Sequence, residues 1–435
     1  MIEANLHEFI SIDLPALIAT IFVASTAAIL GNFLVLRRIS LMGDAISHAV
    51  LPGIVAGFLV SNSRAGSAIF IGAAIAGILC SLLIEFVSKF GKIDASTSMG
   101  VVFSIFFAAG VLLMEQAAAS SVDLDADCIL YGQLELLFWT PPRDWQSLLT
   151  LSTLAELPIE VIVSFLTFVF IAACIYIFFK ELKISSFDPG LANALGFNTQ
   201  LIHYAYMVLV AAAIVSSFQI VGSILVISLL ICPAATARLL TDKLNVQIFL
   251  SLIIGIFCSI SGYYLAAFGP ALFSYQNSLS AAGSISVMLG IVFGFALFLA
   301  PNYGIVSKLL RNFKLEVKVG AEDILGSIYK LEENTGTSCL TQKQALRIAG
   351  GGLRGFFSLK RVLGQKLAIK ENENISLLEA GRHIAKNLLR NHQLWEIYLE
   401  KYVGITRSHV LNTAEQLEHF TDSKLQKKLS DRVEN

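Results

Sequence analysis

An all-α polytopic membrane domain of about nine transmembrane helices, joined to a small polar C-terminal domain, is the fold class this sequence predicts, on three observations. Apolar residues make up 55% of the 435 and charged residues only 14%, with a mean hydropathy of +0.72, too apolar for a water-soluble chain of this length. Apolar runs long enough to cross a bilayer recur as far as Ala300 and then stop. Charge divides the chain in the same way: residues 1–320 hold 14 Lys/Arg and 18 Asp/Glu, whereas 321–435 hold 17 and 14. The reading is a membrane domain over 1–310, a linker over 311–320 and a soluble domain over 321–435.

Leu14–Leu36 is the first span. The segment before it, MIEANLHEFI, has no basic residue and no cleavage-site pattern follows, so it reads as a retained span and not a signal peptide. Ala49–Val60, Ser67–Val87, Met99–Met114, Pro158–Phe179, Leu201–Ser217, Ile220–Ala237, Val246–Phe268 and Ser284–Ala300 follow. The second is short unless it begins within Ala45–Ala49, and the sixth and seventh need a tight turn near Ser216–Gln219. With the N-terminus outside, the connections bearing Arg37/Arg38, Lys89/Lys92, Lys180/Lys183, Arg238/Lys243 and Lys308 onward all fall inside, as the positive-inside rule expects. An odd number of crossings then leaves the C-terminal domain in the cytoplasm. Between Glu115 and Glu156 the chain is expected outside. Its acidic cluster Asp123, Asp125, Asp127 reads either as a solvated loop or as a cation-attracting vestibule, and Cys128–Trp139, too short to cross, lies flat or re-enters. The six cysteines form no CxxC, so no disulfide framework or cysteine knuckle is indicated.

Two residues in SLMGDAISHAVLPG carry cation chemistry. Asp44 and His48 stand at i and i+4, so on a helix both project from one face. Ionisable side chains in a span face a bundle interior or a water-filled path, and carboxylate plus imidazole suits zinc, manganese or iron(II). The same spacing also fits an N-terminal cap with an interior histidine. Pro52-Gly53 loosens the helix, serving either exposed carbonyls or close packing. Intramembrane proteolysis is excluded by the want of paired aspartates, a serine–histidine pair or HExxH within the spans. An ATP-independent secondary metal transporter is not excluded by composition.

The soluble domain, net +3 (17 − 14), suits nucleic acid or an anionic membrane face but demands neither. Its pattern of three helices, a short hairpin and two helices reads as a winged helix. Glu415, Glu418 and His419 share a helical face there and, with His392 on the preceding helix, make a carboxylate/imidazole set. An exposed polar face explains the same residues.

RRISLMGDAISHAVLPG, FDPGLANALG and VGSILVISLLICPAATARLL, in one order and spacing over roughly residues 14–305, closely resemble the zinc/manganese/iron ABC-importer permeases. DLDADCILYGQLE is closer to the manganese/iron members. The resemblance implies a subunit of the bacterial cytoplasmic membrane, paired with a second permease copy or paralogue, an ABC ATPase and an extracytoplasmic metal-binding protein. No GxxxxGK[ST] loop occurs in the chain, so the ATPase is a separate subunit and this chain is no enzyme. No covalent cofactor is expected; divalent metal is the transported ion and a regulatory ligand. Residues 187–196 would be the ATPase coupling helix, with Phe187, Asp188, Pro189, Gly190, Ala192 and Gly196 carried over. SLSAAGSISV departs from the Pro-Thr-Gly-like start of the family's last span. HQLWEIYL and AEQLEH give the tail a resemblance to metal-dependent repressors of the diphtheria-toxin-repressor class over 321–430. It implies Asp323, His392, Glu415, Glu418 and His419 as metal ligands, with Gly326 standing where a carboxylate is usual. Gly350, Gly351, Gly352 and Gly355 crowd the turn and start of the DNA-reading helix, where each helix-interior glycine costs roughly 1 kcal/mol against alanine. Arg354, Lys360, Arg361 and Lys366 are the candidates for DNA phosphates. Two roles for the tail follow: metal-dependent gating of transport, or repression of importer genes after proteolytic release near 312–320.

Overall fold

The computed structural model describes residues 9–61, 66–118, 132, 134–139, 156–272, 279–336, 339–404, 413–414 and 417–434. The chain divides into two compact units, Met1–Ile305 and Val306–Asn435. The acidic cluster at 123–127, Cys128 and Glu415 lie outside the described residues.

The first unit is built from α1 (Leu14–Leu36), α2 (Leu41–Ser61), α3 (Gly66–Gly91), α4 (Ala95–Ala118), α5 (Ile159–Ile177), the short α6 (Phe179–Phe187) and α7 (Pro189–Ala194), α8 (Thr199–Leu240), α9 (Leu244–Leu272) and α10 (Ala281–Leu299). Eight of these are long and apolar enough to cross a membrane. The 42 residues of α8 would span about 63 Å if straight, twice a hydrocarbon core. They are not straight, because Gly222 has non-helical backbone (φ 76°, ψ 167°). The Tyr206 hydroxyl donates to the Leu30 carbonyl at 2.6 Å, while the Leu230 carbonyl closes on Gly31, 1.8 Å from where a Cβ would stand. Two residues that a straight helix would hold about 36 Å apart thus meet one turn of α1. The halves of α8 fold back on each other at Gly222, so the eight apolar helices among the described residues are long enough for about nine crossings. The reversal comes after Ser216–Gln219, where the sequence placed it. Only glycine takes this φ/ψ readily, and Ser216 satisfies its hydroxyl on the Ala213 carbonyl inside the helix.

Buried along nearly its whole length, α1 is the central helix. Thr20, Ser25 and Thr26 return their hydroxyls to carbonyls one turn earlier, which satisfies these three hydroxyls within the helix. Gly53 and Gly72 bring α2 and α3 into backbone contact: a Cβ on Gly53 would stand 2.3 Å from the Gly72 carbonyl oxygen, and one on Gly72 2.2 Å from that of Gly53. Pro52-Gly53 therefore serves close packing, the small-residue crossing usual between membrane helices.

The second unit contains α11 (Ile305–Thr335, beginning at the boundary), β1 (Cys339–Thr341), α12 (Gln342–Ile348), α13 (Gly352–Gly364), β2 (Ala368–Glu371), β3 (Asn374–Leu377), α14 (Glu379–Tyr398) and α15 (Ser423–Glu434). Residues 311–320, read from sequence as a linker, are continuous helix within α11. The sheet has the order β1-β3-β2, antiparallel throughout, and packs with α11, α12, α13 and α14 around Ile324, Ile328, Leu340, Val362, Ile375 and Ala385. Gly350, Gly351 and Gly352 all take positive φ (87°, 68° and 52°). They form the α12–α13 turn and the start of α13, as the sequence reading had it, where positive φ suits glycine. Gly355 is interior, but a Cβ there would come within 2.6 Å of the Leu346 carbonyl, so it sets the α12–α13 approach.

Candidate transport path and metal centre

Helix α2 starts at Leu41 and includes Ala45–Ala49, which makes it a full-length crossing and puts Asp44 in its first turn. His48 Nε2 lies 3.4 Å from Asp44 Oδ1, and their side chains remain 29% and 43% exposed. The imidazole packs against Phe103 and Phe107 of α4, with ring centroids 5.1 and 5.9 Å away. The pair thus keeps a partly exposed, open side, with one wall aromatic.

Near the same end of the bundle, Arg37 binds together the elements on either side of α7. Its guanidinium donates to Ser186 Oγ and Ser185 Oγ, both at 2.9 Å, lies 3.4 Å from His203 Nδ1 and covers the Tyr206 ring. His203 Nε2 in turn meets Glu85 of α3 at 3.3 Å. Ser185 and Ser186 precede α7, and His203 follows it. The α7 segment is capped by Asp188, which accepts from the Leu191 amide at 2.9 Å, and closed by Gly196 at φ 87°. Ala192 is fully buried and faces its own unit, so it cannot seat in a partner's groove. Phe187, Leu191 and Leu195, each more than half exposed, form the outward ridge instead. Of these three the sequence reading named only Phe187. It read Arg37 for topology alone, although two arginines at a span end were a visible signal.

At the other end, the described part of Cys128–Trp139 tucks into the bundle. Leu134, Leu137 and Trp139 are buried, and Gly132 lies against the Val221–Gly222 backbone. Glu135 accepts from the Ala281 amide at 2.9 Å, and Ser280 caps α10 from its own side chain. The first turn of α10 is therefore held without the family's proline. Tyr263 donates to Asp13 at 2.8 Å.

In the second unit, α11, α14 and the segment around 417–420 bring imidazoles and carboxylates together. His419 stands between Glu322 (Nδ1, 2.8 Å) and Asp323 (Nε2, 3.2 Å), with Glu418 at 3.8 Å. His392 meets Glu418 at 2.6 Å and Glu396 at 3.2 Å. Burial works against the His419 imidazolium, but the bonds to Asp323 and Glu322 outweigh it and raise its pKa to about 9. His392 is raised as well, chiefly by its bond to Glu418. A cavity of about 150 Å³ bounded by Asp323, Gly326, Lys330, His392 and Glu418 adjoins them. Gly326 puts no side chain into it, and Lys330 also lines it. These oxygen and imidazole donors fit manganese, iron(II) or zinc chemically. Here each imidazole is held by carboxylates, and among the described residues no three such groups converge on one point. Glu322, which the sequence reading passed over for its neighbour Asp323, is brought into the set by the fold. Of the DNA candidates, Arg354 is engaged by Glu316 at 2.8 Å, and the helix it stands on exposes Leu353, Phe356 and Phe357.

The family model of the ABC 3 transport family matches residues 9–140 and 148–300, and that of the iron dependent repressor, metal binding and dimerisation domain, matches 378–435. Among similar proteins, the manganese transport system membrane protein MntC of Listeria innocua is 36% identical over 291 residues, 67% of this chain and 91% of that protein. The zinc transport system membrane protein TroD of Treponema pallidum is 37% identical over 308 residues, 70% of this chain and 79% of its own. PsaBC from Streptococcus pneumoniae, solved in complex with a Fab, superposes with a TM-score of 0.53 at 34% identity, covering 67% of this chain and 92% of that one.

Proposed function

The chain belongs to the ABC 3 transport family, and on that premise we propose that it is the membrane permease subunit of an ATP-driven importer of divalent transition metal, carrying its own C-terminal metal-sensing domain. The observation that carries this reading is the Asp44–His48 pair, a carboxylate and an imidazole 3.4 Å apart on the open side of a membrane helix. An ion entering there exchanges water for oxygen and nitrogen donors. The open side calls for a second permease copy or paralogue to complete the path. Manganese or iron is favoured over zinc by the manganese-named relatives, while the zinc-named relative keeps zinc within reach.

The work of transport in this reading is alternating access. An extracytoplasmic binding protein delivers the ion, and a separate ATPase closes on nucleotide and moves α7. The exposed ridge Phe187, Leu191, Leu195 is the docking face, while Asp188, Pro189, Gly190 and Gly196 shape the segment that presents it. In this reading the permease lies in a bacterial inner membrane with its N-terminus outside, and nine crossings leave the second unit on the cytoplasmic side. There Asp323, His392, Glu418 and His419, joined by Glu322 and with Glu415 as a further candidate, would hold the regulatory ion.

Uptake of labelled manganese, iron and zinc into proteoliposomes containing this chain, its ATPase and its binding protein tests the reading. ATP-dependent uptake is expected, with Asp44→Ala abolishing it at unchanged membrane abundance. Uptake that continues without ATP would instead identify a secondary transporter, and unchanged uptake in Asp44→Ala would remove that residue from the path.

A further inference from the structure

We propose that the face shared by α13 and the first half of α11 binds the anionic surface of the bilayer. In a winged helix α13 occupies the position of the DNA-reading helix, yet here it exposes Leu353, Phe356 and Phe357. Phe357 meets Phe313 of α11 edge-on at 5.7 Å, so the two helices present one surface. Leu309 and Leu310, 63% and 55% exposed and one turn before Phe313, extend it. Exposed apolar patches of this kind on otherwise polar domains mark membrane or protein contacts.

Two observations select the membrane as occupant. The first is position: only residues 300–304 separate the end of the last crossing at Leu299 from the start of α11, so the first turns of α11 emerge at the lipid headgroups. The second is charge. Lys308, Arg311 and Lys314 accompany the apolar residues with no acidic residue before Glu316, and exposed Lys360 adds another cation on α13. Basic residues flanking an apolar stripe are the composition of helices that lie in a bilayer interface, and each juxtamembrane cation is drawn to an anionic leaflet. A DNA-reading surface would offer base-edge hydrogen bonding where this one offers Leu353 and Phe356. The proposal rests on the reading that places the second unit beside the cytoplasmic leaflet.

The test uses the full chain in nanodiscs, with Phe356→Trp as the reporter and lipids brominated along the acyl chain as quenchers. Quenching beyond that of the unsubstituted protein is expected, several-fold stronger in discs with anionic lipid than in zwitterionic discs and reduced by high salt. Lys308→Gln/Lys314→Gln/Lys360→Gln, which leaves the apolar packing intact, should remove the lipid-charge dependence. No extra quenching, or quenching indifferent to lipid charge, overturns the proposal. So does a change in the Phe356→Trp emission that requires added ATPase or duplex DNA. Metal uptake by the same variants is read separately: its absence in the unsubstituted protein would defeat the transport reading and leave the quenching result standing.

Discussion

His419 is the side chain on which the proposed metal sensing bears most directly. Its two nitrogens are taken by Glu322 and Asp323, and its raised pKa of about 9 keeps it protonated at neutral pH. A folded-state pKa above the unfolded value of 6.5 stabilises the fold fully below 6.5, and that contribution is lost as pH rises through 9. The shift corresponds to on the order of 3 kcal/mol. Metal runs the opposite way, since an ion binding the imidazole must displace its proton. Hydrogen exchange at the His419 ring C2 position, followed across pH, should give an apparent pKa near the stated value without metal. Affinity for added manganese should rise over the same range. An ordinary histidine titration would remove the Glu322/Asp323 clamp from the account. Glu322 itself was hidden in the sequence because adjacent acidic residues on a helix point in different directions, and only the approach of the 417–420 segment shows that both are used.

Among the elements, α7 is flanked by residues tied to the central helix, and α8 carries the reversal at Gly222. Arg37 ends α1, the central helix, and reaches residues on both sides of α7, so a displacement of α7 pulls on α1 through Ser185, Ser186 and His203. In Arg37→Gln we expect the metal transported per ATP hydrolysed to fall several-fold while ATP hydrolysis continues, with Arg37→Lys recovering part of it. An unchanged ratio would make the network merely structural. At the α8 reversal, Gly222→Ala forces a side chain onto φ 76°, at a cost of about 1–3 kcal/mol. Thermal unfolding of the detergent-solubilised permease should move down accordingly. That reversal lies just past the Ser216–Gln219 stretch because backbone conformation, more than side-chain polarity, fixes the point at which a buried hairpin can turn.

Taken whole, the chain joins an ABC 3 transport unit to a unit matched by an iron dependent repressor's metal binding and dimerisation domain. If sensing acts on transport, a chain ending at Ile305 should import metal but fail to shut down at high internal metal. Identical shut-down in the truncated chain would leave the tail without a role in gating. The sequence by itself determined the membrane class, a count of about nine crossings, the i,i+4 placement of Asp44 and His48 and the likeness of the tail to metal-dependent repressors. Those properties follow from hydropathy, from the fixed i,i+4 geometry of a helix and from local motifs, all of which are set by neighbours in the chain. Tertiary structure alone decided that Ala192 faces inward while Leu191 and Leu195 face out, that Pro52-Gly53 serves packing, that Glu322 joins the carboxylate set and that α13 presents an apolar face. Each of these depends on which surface another element covers, a matter of contacts between residues far apart in sequence, and local periodicity carries no record of it.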